Sequence, residues 1–150
     1  VDLPQDLAQQ LSASTGEAWE EDVRTVWGEF QLRLMLAEQL DKFAASAGAD
    51  GWDGDQALYL SDGAQEMVVM TVVWDSVSEA RAARTALRTW LNDGGFGSSG
   101  LRRFVDEEAD PDANKPMRYA FLTSQDDWVY FILATDSVSM DAAVSALGWE

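Results

Sequence analysis

The run Met67-Val68-Val69-Met70-Thr71-Val72-Val73-Trp74 is apolar at odd and even positions alike. Successive side chains of a strand point to opposite faces, so such a run escapes water only when both faces are covered. It marks an interior strand of a layered fold. Ala57 to Leu60 reads as the strand before it, and the turn-rich Ser61 to Glu66 makes the two a hairpin.

Directly after the apolar run comes Ser76-Val77-Ser78-Glu79, which has capping-box form: hydroxyl and glutamate each satisfy a backbone donor at a helix start. Val77, Ala80, Ala83, Leu87, Trp90 and Leu91 then define one apolar helical face that ends before Gly94 and Gly95. Residues 94 to 100 are rich in glycine and serine, Leu101 to Val105 is at most a short strand, and Asp106 to Pro116 is an acidic loop.

The order of elements then recurs. Met117 to Thr123 and Trp128 to Thr135 read as a second hairpin through Ser124-Gln125-Asp126-Asp127, and a short helix follows with Ala143, Val144 and Leu147 inward. Asp136-Ser137-Val138-Ser139 echoes Asp75-Ser76-Val77-Ser78 at a separation of 61 residues.

Upstream, Val23, Trp27, Phe30, Leu34, Ala37 and Leu40 recur at helical spacing, with Leu32, Leu36 and Phe43 widening the stripe. The spacing predicts one long helix over about 17–45, bent at Gly28, after a polar lead-in. The expected fold class is α+β: a four-stranded antiparallel sheet from two hairpin-plus-helix (ββα) repeats, at about 57–93 and 117–148, with both repeat helices on one face. The long N-terminal helix would cover the other face or an edge. All 150 residues are expected to form a single domain.

Charge and missing residue types narrow the function. The chain carries 27 acidic and 10 basic residues, a formal charge of -17, with no histidine and no cysteine. Successive fifty-residue segments hold acidic excesses of 7, 4 and 6, so the charge is a coating and not a tail. With only two lysines, Lys42 and Lys115, this coating predicts a halophile-type acidic surface. It repels phosphate backbones, which argues against nucleic-acid binding. No apolar run approaches the roughly 20 residues of a membrane helix, so no membrane insertion by this segment is expected. The sequence begins at Val1, as a mature product or an excised domain would.

Without histidine or cysteine there is no Ser-His-Asp or Cys-His nucleophile and no imidazole metal site, and no enzyme activity is expected. A carboxylate-dependent hydrolase is the least favoured alternative. Asp110, Asp112 and Asn114 occupy the first three ligand positions of an EF-hand loop, but Lys115 stands where that loop needs glycine and Phe121 where it needs glutamate. Calcium is thus the one cofactor the pattern suggests. Asp50, Asp53 and Asp55 form a second cation candidate.

Arg81, Arg84 and Arg88 share one helical stripe, a docking surface for an acidic partner or the basic half of internal ion pairs. Glu29 is placed to pair with Arg33 one turn on. Trp52, in Gly51-Trp52-Asp53-Gly54-Asp55, is a candidate to stack a ligand or to plug one end of the core.

Three of these segments carry a resemblance. Gly28-Glu29-Phe30-Gln31-Leu32-Arg33, then Ala49-Asp50-Gly51-Trp52-Asp53-Gly54-Asp55-Gln56, then Thr71-Val72-Val73-Trp74-Asp75-Ser76, together resemble an uncharacterised family of secreted or membrane-associated prokaryotic proteins. That family has a Gly-Glu-Phe helix, a Gly-Trp-Gly-Gly-Asp-Arg-type turn and a Val-Trp-Asp-Ser strand end. Asp53 and Gln56 depart from its middle glycine and its arginine. The resemblance, over roughly residues 20–90, implies the C-terminal part of a longer exported chain and names no activity.

The expected function is a non-catalytic accessory or interaction domain of an exported halophile-type protein, extracytoplasmic or membrane-associated, with a cytoplasmic place still compatible. A protein partner or a neighbouring domain would meet it. A small-ligand or divalent-cation-binding module is the alternative.

Overall fold

The computed structural model describes residues 2–150. In chain order the elements are α1 (Leu7–Thr15), β1 (Glu20–Thr25), α2 (Gly28–Leu36), α3 (Lys42–Ala49), β2 (Trp52–Ser61), β3 (Glu66–Trp74), α4 (Val77–Asp93), β4 (Phe96–Gly100), β5 (Arg103–Asp106), β6 (Tyr119–Gln125), β7 (Trp128–Ala134) and α5 (Ser137–Leu147). The strands form one sheet in the order β1-β2-β3-β7-β6-β5-β4, with every neighbouring pair antiparallel.

The two expected hairpins are β2–β3 and β6–β7, and they meet in mid-sheet, where β3 pairs with β7 from Met67 opposite Ala134 to Val73 opposite Trp128. The fold is α+β, but the expected four-stranded sheet of two ββα repeats behind a long helix is overturned. The sheet has seven strands. Its two ends are extended by β1 on one side and by β5 and β4 on the other.

The helices also divide differently. Ala80, Ala83, Leu87 and Leu91 of α4 pack with Leu32, Leu36, Ala45 and Ala49 against Ala57, Met70, Val72 and Trp74 on one face. Met140, Ala143 and Val144 of α5 pack with Leu3, Leu7 and Leu11 against Leu58, Met67, Val69 and Ile132 on the other. The helices after the two hairpins therefore lie on opposite faces, and both faces of β3 are buried, as its composition requires.

No helix runs from 17 to 45. Glu20–Thr25 is an edge strand paired with β2, and two short helices follow. The stripe that suggested one helix is largely the outward one: Val23, Phe30 and Leu34 are 50%, 59% and 48% exposed, whereas Leu32 and Leu36 are buried. Gly28 opens α2 at φ +84°, a left-handed conformation that interrupts any continuous helix. Asp41 starts α3, its carboxylate accepting from the backbone N–H of Phe43 and Ala44. The supposed lead-in contains α1, whose Leu7 and Leu11, with Leu3 ahead of them, are buried at a spacing of four.

The two stripes of α2 separate in mutagenesis. Leu36→Ala is expected to cost about 2–5 kcal/mol through the cavity it leaves, and Phe30→Ser to stay within about 0.5 kcal/mol. Denaturant unfolding midpoints check both; equal losses would contradict the burial described above.

Candidate functional site

Two of the three segments singled out in the sequence, at Gly28 and at Trp52 to Asp55, meet at one carboxylate, and the third pairs with the strand that bears it. Asp55 of β2 is 3% exposed, and its oxygens accept from Trp27 N and Gly28 N at 2.7 Å each and from Trp52 Nε1 at 2.9 Å. The two backbone donors are orphan N–H groups at the start of α2, where a negative charge also suits the helix dipole. A strand residue thus caps a helix from outside.

A bulge makes the arrangement feasible. Residues three apart on a regular strand face opposite sides, but the β2–β3 register shifts between Trp52 and Gly54, leaving Asp53 as an extra residue. Trp52 and Asp55 are thereby turned to the same side. Asp53 itself is exposed. It is not among the positive-φ residues, so aspartate is accommodated there without backbone strain.

Gly51 does require its residue type. Its φ is +80°, and an added Cβ would fall 2.3 Å from the Glu79 carboxyl carbon. Its carbonyl accepts from Asp75 N at 2.8 Å, beside the capping box in which Ser76 Oγ donates to Glu79 and accepts from Glu79 N. The turn is clamped between the starts of α2 and α4. Gln56 accepts from Leu3 N and from Arg24 Nη1, so β1 supplies a guanidinium beside this position.

The other candidates are scattered. The guanidinium groups of Arg81, Arg84 and Arg88 form no ion pair or hydrogen bond among the described residues; Arg81 and Arg88 are exposed and Arg84 is half-buried. The ion pairs formed are Arg24–Glu21, Arg103–Asp141 and Arg118–Asp106. Glu29 is exposed and not among them, while Arg33 lies over the Phe30 ring at 5.6 Å.

Asp110, Asp112 and Asn114 lie in an exposed loop. The Asp110 carboxylate caps a single 3-10 turn at Pro111–Ala113 by accepting from Asp112 N, and Asn114 ends that turn in a left-handed conformation. Among the described residues no three acidic side chains are grouped to hold a metal ion. Buried Asp106, like Asp55, is engaged: it accepts from Arg118 Nε at 2.8 Å and from Glu108 N at 3.0 Å.

Two concave regions flank Tyr59. One, of about 360 Å³, has Tyr59, Val68 and Leu133 on its floor. The second, of about 610 Å³, runs along α2 beside Val26, Leu34 and Met35. A third feature went unread in the sequence: Trp128, Tyr130 and Trp149 stack in series, with ring centroids 6.3 and 4.6 Å apart. Its signal was the i, i+2 aromatic pair on β7, which places both rings on one sheet face.

The family profile described as "Domain of unknown function (DUF8575)" matches residues 16–143. The chain belongs to that family. This DUF8575 member matches no curated protein in sequence. Its fold is similar to that in the crystal structure of the extracellular domain of PknH from Mycobacterium tuberculosis, with a TM-score of 0.62 over 99% of this chain and 93% of that one, at 12% identity. Among the described residues of the DUF8575 chain no helix is long and apolar enough to cross a membrane.

Removing the Asp55 carboxylate strands three donors at once. Asp55→Ala is expected to cost roughly 3 kcal/mol, more than the matching change at the exposed cap Asp41, in denaturant unfolding. Tyr130 supplies a pH test. Burial, and then the nearby Asp126 and Asp127, raise its phenol above the usual value of 10.0. A raised folded-state pKa leaves stability intact below the unfolded pKa of about 10, and stability then falls as pH rises through the folded value. Tyrosinate absorbance should show late ionisation of Tyr130, and Tyr130→Phe should remove that part of the alkaline loss.

Proposed function

We propose that this chain is a non-catalytic accessory or interaction domain of an exported halophile-type protein, docking an acidic partner surface on the outside of its α2–α3–α4 layer. The observation that carries the reading is the stripe Arg81, Arg84 and Arg88: three of only 10 basic residues, whose guanidinium groups have no ion-pair or hydrogen-bond partner among the described residues, in a chain with 27 acids. Internal charge balance would have spent them inside the fold. A guanidinium row with a fixed fork geometry suits carboxylates on another surface.

Apolar exposure in the same helical layer supports it. Val26, Phe30 and Leu34 form an outward stripe at intervals of four residues, with Phe30 59% exposed, and Val26 and Leu34 also line the groove along α2. Extracytoplasmic placement is supported by the likeness to a solved extracellular domain, and the halophile reading by the dispersed carboxylates.

The experiment is a binding titration with a fluorescent Asp/Glu-rich peptide, at low and high salt. The wild type should bind at low salt with an affinity that falls as salt rises, and the triple variant Arg81→Gln/Arg84→Gln/Arg88→Gln should bind roughly tenfold or more weakly. Its unfolding free energy should stay within about 0.5 kcal/mol of wild type. Equal peptide binding, or a large loss of stability, would remove the basis of this reading.

A further inference from the structure

On the sheet face covered by α1 and α5, the helices leave a cleft of about 280 Å³ between the chain ahead of α1 and the C-terminal end of α5. Its floor is Thr71, Trp128 and Tyr130, and Thr71 stands directly opposite Tyr130 in the β3–β7 register. Thr71 is the one polar residue in the run from Met67 to Trp74.

Both walls are fixed in place. Leu3 and Pro4 form one: Leu3 N donates to Gln56 Oε1, and the Arg24 guanidinium donates to the Leu3 and Pro4 carbonyls at 2.8 and 2.9 Å. Trp149 forms the other. Gly148 ends α5 at φ +67°, Trp149 N returns to the Val144 carbonyl at 3.1 Å, and the indole is laid against Tyr130 at a centroid distance of 4.6 Å.

The charges around this aromatic surface are mostly of one sign. Asp2 lines the cleft, and Asp126 and Asp127, in the β6–β7 turn, act electrostatically on Tyr130. Among the described residues no basic side chain lines it, and the Arg24 guanidinium that holds the wall is turned to the wall carbonyls, Gln56 and Glu21. Aromatic faces with carboxylates nearby attract a weakly hydrated organic cation, which exchanges its thin hydration shell for ring faces and a negative potential. They offer nothing to an anion.

We propose that this cleft binds a small organic cation of the quaternary ammonium class. The volume suits a ligand of a few to about ten heavy atoms, just under the usual range of roughly 300–1,000 Å³ for drug-sized ligands. The Trp128–Tyr130–Trp149 stack supplies the ring surface, and Asp2, Asp126 and Asp127 supply the counter-charge.

The test is calorimetric titration of the whole chain with choline, its neutral carbon isostere 3,3-dimethylbutanol, and glucose. Choline should bind saturably, and the isostere roughly tenfold more weakly because it lacks the charge. Raising the salt screens adsorption to the general acidic surface but leaves contacts inside the cleft largely intact, so choline binding should persist. Trp149→Ala should weaken it about tenfold. Should that variant unfold, Asp126→Asn/Asp127→Asn is the second probe: Asp126 has φ +53°, a conformation asparagine adopts readily, and the pair should weaken choline alone, severalfold. Equal binding of choline and isostere, preferential binding of glucose, loss of choline binding in salt, or no saturable binding would overturn the proposal.

Discussion

A carboxylate shut away from water must either lose its charge or find donors, and Asp55 has found three. Its position links elements that apolar packing alone would leave free to slide: the bulged start of β2, the first turn of α2 and the Trp52 indole. Apolar contact is non-directional, whereas a carboxylate accepting from two successive backbone N–H groups fixes both the angle and the register of a helix. The adjoining Gly51, pressed against Glu79, extends the constraint to α4. The layer bearing the arginine stripe is thus oriented from a single point on the sheet.

The sequence disclosed what periodicity controls and concealed what long-range pairing controls. Both hairpins, α4 and α5 were legible because turn residues, capping hydroxyls and apolar spacing act locally. The N-terminal third was not. Val23, Phe30 and Leu34 have helical spacing, but only pairing with β2 could reveal that Val23 belongs to an edge strand. Helix α1 was hidden because it offers the core only Leu7 and Leu11 among polar neighbours. The face chosen by each helix is set by how β3 and β7 meet, 61 residues apart in the case of Met70 and Phe131, and no local pattern encodes it.

The same limit applies to function. Trp52 and Asp55 drew attention as a ligand-facing turn, yet their side chains are directed at each other, an outcome decided by one inserted residue at Asp53. The arginine stripe was legible in spacing, but its lack of partners among the described residues depends on where every acid lies. The aromatic stack needed α5 to end and fold back through Gly148, joining positions that share no local pattern.

Pairing of β3 with β7 also governs the order in which the molecule can form. With two apolar faces and a long-range neighbour, β3 has its full set of partners only when residues 128–134 are in place, so the first hairpin has no complete folded state of its own. Distant pairings of this kind slow folding, because loop-closure entropy is lost before contacts compensate it. The middle of the sheet is therefore closed by its most distant pairing, between β3 and β7. A chain interrupted before β7 would leave one edge of the apolar β3 without its strand partner.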